Sequence, residues 1–229
     1  MKYFVINAKN YPEAAGAGLH NMLDALKVVS SQDSFRQIKF YLAPPNFGLA
    51  LSVDQKASFQ VLAQHLDPYS VGASTGFSVP EIAKSFGAFG SILNHSEHRI
   101  PDAEIEALIP RLRGLEMLSV VCAKDDAEVG KFAKFSPDFI AVEPPELIGS
   151  GKAVSKVKPE IIKSSRAALD NNRPSGSKTK LLCGAGIVDG IDARLSTELG
   201  AEGILVASGV VKSPDLGKKI QELAQGLSV

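Results

Sequence analysis

Short runs of apolar, β-branched residues alternate along the chain with longer segments whose apolar positions recur every three to four residues. The short runs read as strands buried on both faces, and the longer segments as amphipathic helices. Strands are predicted at residues 3–6, 38–43, 59–63, 91–93, 117–121, 139–142, 180–183 and 203–206. A first helix opens at Pro12 and carries Leu19, Met22, Leu23 and Leu26 on one face; a short one follows at 47–51 and another near Pro80. Pro101 and Asp102 open the next, with Ile105, Leu108, Ile109 and Leu112 on its apolar stripe. The remaining helices fall at 125–135, 157–169, 191–199 and 214–227. Residues 65–75 make a long loop, and the polar piece 171–178, with its Gly and Pro, a surface loop.

Eight strand–helix units in alternation specify an α/β chain with a parallel sheet. Eight is the number that closes a (β/α)8 barrel, and 229 residues sits toward the lower end of that fold's size, so one barrel domain over 1–229 is expected. The alternative is an open doubly wound sheet, but no Gly-x-Gly-x-x-Gly follows the first strand.

Composition narrows the partners. With 45% hydrophobic residues the chain can bury a sizeable core, and 25 basic residues balance 25 acidic ones. That balance leaves no electrostatic footprint for nucleic acid or an acidic membrane surface, so any anion site must be built locally. Met1-Lys2-Tyr3 runs straight into an apolar strand, too short and too β-branched for a signal peptide, and no run approaches the ~18 apolar residues of a membrane helix. The two cysteines, Cys122 and Cys183, end apolar runs and are expected as buried, reduced core thiols in a cytoplasmic protein.

Barrel enzymes carry their chemistry where strands end. Here strand one ends at Asn7 and Lys9, strand four at His95 and Glu97, and strand six at Glu143. A base, an imidazole and an ammonium thus converge on one mouth. Strands seven and eight run into the small-residue loops Gly184-Ala185-Gly186 and Ala207-Ser208-Gly209, whose amides can approach an anion closely. After Glu143, two prolines, two apolar residues and a Gly-Ser-Gly close read as a hinged lid. His20 and His65 are expected on the surface. No His/Cys cluster has metal-ligand spacing, and neither a metal nor an organic cofactor is expected.

Asn7-Ala8-Lys9, His95-Ser96-Glu97 and Glu143-Pro144-Pro145-Glu146-Leu147-Ile148-Gly149-Ser150-Gly151 together resemble the triosephosphate isomerase family, in order and over the whole chain. The likeness is to its compact archaeal branch: the lid reads Pro-Pro-Glu-Leu-Ile, and the strand-seven loop Cys-Gly-Ala-Gly-Ile. The resemblance implies a TIM barrel that interconverts glyceraldehyde 3-phosphate and dihydroxyacetone phosphate in glycolysis and gluconeogenesis. It makes Glu143 the base, His95 a neutral electrophile (disfavoured as a cation by a helix starting just after it), and Lys9 with Asn7 the oxyanion stabilisers. Gly151, Gly184, Ala207 and Ser208 would grip the phosphate, with Ile148 closing over it. Glu97 would hold Lys9, and Ser96 would hold Glu143 while the lid is open. The 65–76 loop would reach a neighbouring subunit in a homo-oligomer, dimer or tetramer, with Thr75 near the partner's site. A Schiff-base aldolase using Lys9, or a non-catalytic sugar-phosphate-binding barrel, are the competing readings.

Overall fold

The computed structural model describes residues 1–54, 58–147 and 153–228. Strands β1 (Lys2–Asn7), β2 (Ile38–Ala43), β3 (Phe59–Ala63), β4 (Gly90–Leu93), β5 (Leu118–Ala123), β6 (Phe139–Val142), β7 (Lys180–Cys183) and β8 (Gly203–Val206) pair in parallel, each with the next. β8 returns to β1, with Tyr3 opposite Gly203, and closes the barrel. The helices are α1 (Ala17–Ser30), α2 (Leu49–Asp54), α3 (Pro80–Ser85), α4 (Asp102–Gly114), α5 (Asp126–Ala133), α6 (Val154–Val157), α7 (Pro159–Asn172), α8 (Gly190–Glu198), α9 (Ser208–Val211) and α10 (Leu216–Leu227). None is long and apolar enough to cross a membrane.

Strand alternation divides the core in two. Phe4, Ile6, Phe40, Leu42, Ile140 and Val142 face outward and pack under the helices with Leu19, Met22, Leu108 and Ile162. Tyr3, Val5, Tyr41, Ile92, Cys122, Phe139 and Ala141 form a separate cluster inside the barrel. A period of two therefore carries the inward series of β1 on to Asn7 and that of β6 on to Glu143. The chemistry-bearing residues are the top layer of a stack whose lower layers are apolar.

Several boundaries differ from the sequence reading. The expected 157–169 helix is two helices, because a proline at 159 holds Lys158 out of the helical region (φ −143°, ψ 56°). The last helix starts at Leu216 rather than 214, since the Asp215 side chain caps it by accepting from Lys218 N. β5 runs from Leu118 to Ala123, two residues further than expected, and takes Cys122 into its interior face. The helix expected to open at Pro12 begins as a 3-10 turn over Pro12–Ala14, and α1 starts only at Ala17. The helix α9 lies inside what reads as a simple small-residue loop.

Candidate active site

β1 delivers Asn7 and, two residues on, Lys9. Lys9 has φ 48°, a left-handed conformation that costs a non-glycine residue ~1–2 kcal/mol. It is held there by its own N–H donating to Asn7 Oδ1 at 3.0 Å and by its carbonyl accepting from Gln64 Nε2 at 2.9 Å. The result aims the side chain across the mouth, where Nζ meets Glu97 Oε1 at 2.6 Å. The Lys9 side chain is only 10% exposed, against 59% for the Glu97 side chain.

β4 delivers His95, which is 6% exposed. Its Nδ1 accepts from Glu97 N at 3.2 Å, which assigns the ring proton to Nε2. After His95 the chain makes a turn, closed by His98 N donating to His95 O at 2.8 Å, and α4 begins at Asp102, as the sequence predicts.

β6 delivers Glu143, 5% exposed, whose N–H extends the ladder to Ala123 O at 2.8 Å. Its Oε2 lies 3.6 Å from His95 Nε2, too long for a hydrogen bond. Both atoms are fully buried and neither has a hydrogen-bond partner. Orphaned buried polar atoms are rare in a folded interior, and two that face each other mark a place for a ligand atom. Gly184, at the end of β7, backs the carboxylate: a Cβ built there would sit 2.3 Å from Glu143 Cγ. Below lies Cys122, whose thiol is pushed well above its ordinary value, first by burial and then by the Glu143 carboxylate. Cys183 is pushed up to about 12, chiefly by burial. Both thiols are free and buried, as the sequence suggests.

A cavity of about 230 Å³ opens beside Glu143 and Lys9, lined by Ala185, Gly186, Ala207, Ser208 and Gly209 among others. Ala185 (φ 65°) and Gly186 (φ 73°) are both left-handed, and Gly209 passes so near the β7 loop that a Cβ would meet Ile187 O at 2.4 Å. Gly184 is absent from this lining and instead makes room for Glu143.

Of the remaining expected residues, Ser96 lines a second cavity with Glu143 and Arg99, with no hydrogen bond to Glu143 among the described residues. Thr75 is exposed at the tip of a loop whose base is pinned by Asp67 N to Ser78 O (2.8 Å) and Ser78 N to Asp67 Oδ2 (2.7 Å), with Tyr69 stacked on Phe77. Ile148 and Gly151 lie outside the described residues. His65 is not a surface residue: its side chain is 12% exposed, bonded to Asp67 and stacked on His98 at 4.0 Å. The sequence reading missed Gln64, the second clamp on Lys9, and Asn94 ahead of His95. An Asn at a strand end, a residue type that tolerates left-handed backbone, was the available signal for the latter. Among the described residues no group of His, Cys, Asp and Glu side chains could hold a metal ion.

The family model for triosephosphate isomerase matches residues 2–223. The triosephosphate isomerase of Cenarchaeum symbiosum is 46% identical over 98% of this chain and 97% of its own. That of Methanothermus fervidus is 40% identical over 96% of each chain, and that of Methanocaldococcus jannaschii 39% identical over 96% and 97%.

Proposed function

The chain belongs to the triosephosphate isomerase family and interconverts triose phosphates, and we propose that Glu143, His95 and Lys9 carry the reaction between D-glyceraldehyde 3-phosphate and dihydroxyacetone phosphate. Glu143 removes a proton from the carbon beside the carbonyl and returns it to the neighbouring carbon. His95, with its proton on Nε2, donates to the carbonyl oxygen and then passes protons between the two oxygens of the enediol. The Lys9 ammonium stabilises the charge that develops on oxygen, an interaction strengthened by its burial. Asn7 acts on the same charge chiefly by fixing the Lys9 backbone. The phosphate sits against the main chain of Ala207 and Ser208, in the cavity that these two small residues line with Ala185 and Gly186. Closure against water matters because an exposed enediolate phosphate eliminates its phosphate.

The observation that carries this reading is the pair of buried, unpartnered atoms, His95 Nε2 and Glu143 Oε2, 3.6 Å apart, on two residues that line neighbouring cavities to which Lys9 is common. A Schiff-base role for Lys9 fits less well, since its Nζ is ion-paired to Glu97 at 2.6 Å. We further assign the enzyme, a single barrel domain, to glycolysis and gluconeogenesis in the cytoplasm. The exposed, pinned 65–76 loop with Thr75 is suited to reach a second copy of the chain in a homo-oligomer. The test is a coupled isomerase assay on the parent and Glu143→Gln. Turnover in the parent and its near-loss in the variant are expected; equal turnover in both would refute the assignment.

A further inference from the structure

We propose that Asn94 is a positioning residue that turns His95 into the active site and holds it against the Glu143 side of the mouth; this rests on the roles given above to His95 and Glu143. In β4, Ile92 belongs to the cluster inside the barrel and Leu93 to the one outside. Continued alternation would send residue 95 outward, under the helices. His95 instead brings Nε2 to 3.6 Å from Glu143 Oε2. The alternation breaks at Asn94, whose φ of 59° lies in the left-handed region. That conformation costs most side chains ~1–2 kcal/mol and Asn rather less, because its short amide can bond locally.

The Asn94 amide makes two bonds that fix this kink. It is 1% exposed; Nδ2 donates to Cys122 O on β5 at 3.0 Å, and Oδ1 accepts from Ile100 N at 3.2 Å, just before α4. The bond from Ile100 closes residues 94–100 into a loop that contains His95 and Glu97, and the bond to Cys122 ties that loop to β5. Inside the loop, His98 N to His95 O and Glu97 N to His95 Nδ1 set the ring. Cys122 joins both arms of the site, since its carbonyl receives Asn94 and its thiol lies by Glu143. The amide roles are not interchangeable: a carboxylate at 94 could still accept from Ile100 N but would face the Cys122 carbonyl with an oxygen.

The experiment measures kcat, KM and the ring 15N shifts of His95 in the full-length parent, Asn94→Ala, Asn94→Gly and Asn94→Asp, with His95→Gln as the control. For Asn94→Ala, kcat is expected to fall about tenfold to a hundredfold with KM within about twofold, the scale of a small misplacement of a catalytic group. The separate Nδ1 and Nε2 signals of His95 should move together as the tautomer becomes mixed. Asn94→Gly, which readopts the left-handed backbone without strain, recovers part of the loss. Asn94→Asp falls between the parent and Asn94→Ala. A kcat for Asn94→Ala within twofold of the parent with unmoved ring signals, or a Gly variant slower than the Ala variant, overturns the proposal. Should Asn94→Ala fail to fold, Asn94→Asp decides by the same two readouts. If His95→Gln keeps its turnover, the reading of the site itself fails; if it loses turnover while the Asn94 variants do not, only this inference fails.

Discussion

At the floor of the barrel, where the strands begin, Tyr3, Tyr41 and Phe139 interlock with ring centroids 4.8 and 6.1 Å apart, and Lys180 Nζ lies over two of those rings. At the mouth, where the same strands end, His95 and Glu143 are buried as deeply yet present bare polar atoms to each other. The backbone differs in the same sense. Near the floor, the left-handed residues Glu116 and Ser136 follow α4 and α5, where such residues ordinarily terminate helices. At the mouth, Lys9, Asn94 and Ala185 are left-handed straight after strands, where nothing about helix termination requires it. The floor is thus arranged for packing, and the mouth holds backbone strain together with two facing, unsatisfied polar atoms. Mutations at the two ends should separate accordingly.

The largest effect is expected from Lys9→Ala: kcat/KM falls about 10³-fold, the scale of a lost oxyanion donor, while the unfolding midpoint stays or rises. Loss of folding without loss of turnover would break the contrast. Gly184→Ala is next. Its methyl would collide with Glu143 Cγ, so kcat should drop about 10²-fold, read from steady-state kinetics on the folded variant. At the floor, Phe139→Leu removes the ring pairs with Tyr3 and Tyr41. Denaturant unfolding should show a loss of about 1.5 kcal/mol with kcat unchanged, and a change in kcat instead would mean that the two ends are coupled.

The smallest effect concerns His65. Burial, first, holds its pKa below the ordinary histidine value, against the opposing hydrogen bond that its ring donates to Asp67, with His98 and Glu104 also nearby. A folded-state value below the unfolded one means that the unfolded chain takes up the proton first as pH falls. The stability from neutral His65 is therefore whole above ~pH 6.5, the unfolded value, and is lost as pH falls toward the folded value. His65→Asn should flatten the fall in stability between about pH 7 and pH 5, and an unchanged slope would show that other groups set it.

Much of this contrast was legible in the sequence, for a physical reason. Continuous apolar runs such as 139–142, too short for a helix and bounded by turn residues, read as strands covered on both faces, and eight of them in alternation with helices leave few topologies. Asn7, Glu143 and Gly184 follow from the same period of two. What escaped depends on conformation rather than residue type. The kink at Asn94 and the strain at Lys9 are backbone facts that a one-letter pattern does not carry. The helix α9 is four residues of Ser-Gly-Val-Val, too short for any period to register. His65 follows a strand and looks like loop, and only the fold brings His98 over it.

The unfolding midpoint of Glu143→Gln, read beside its turnover, tests the central claim most directly. The variant keeps the shape of the side chain and removes a buried charge, one of whose oxygens has no hydrogen-bond partner. Turnover is expected to fall by about 10³-fold or more, with a midpoint equal to or above that of the parent. A lowered midpoint with turnover largely retained would show that Glu143 serves the fold and not the reaction.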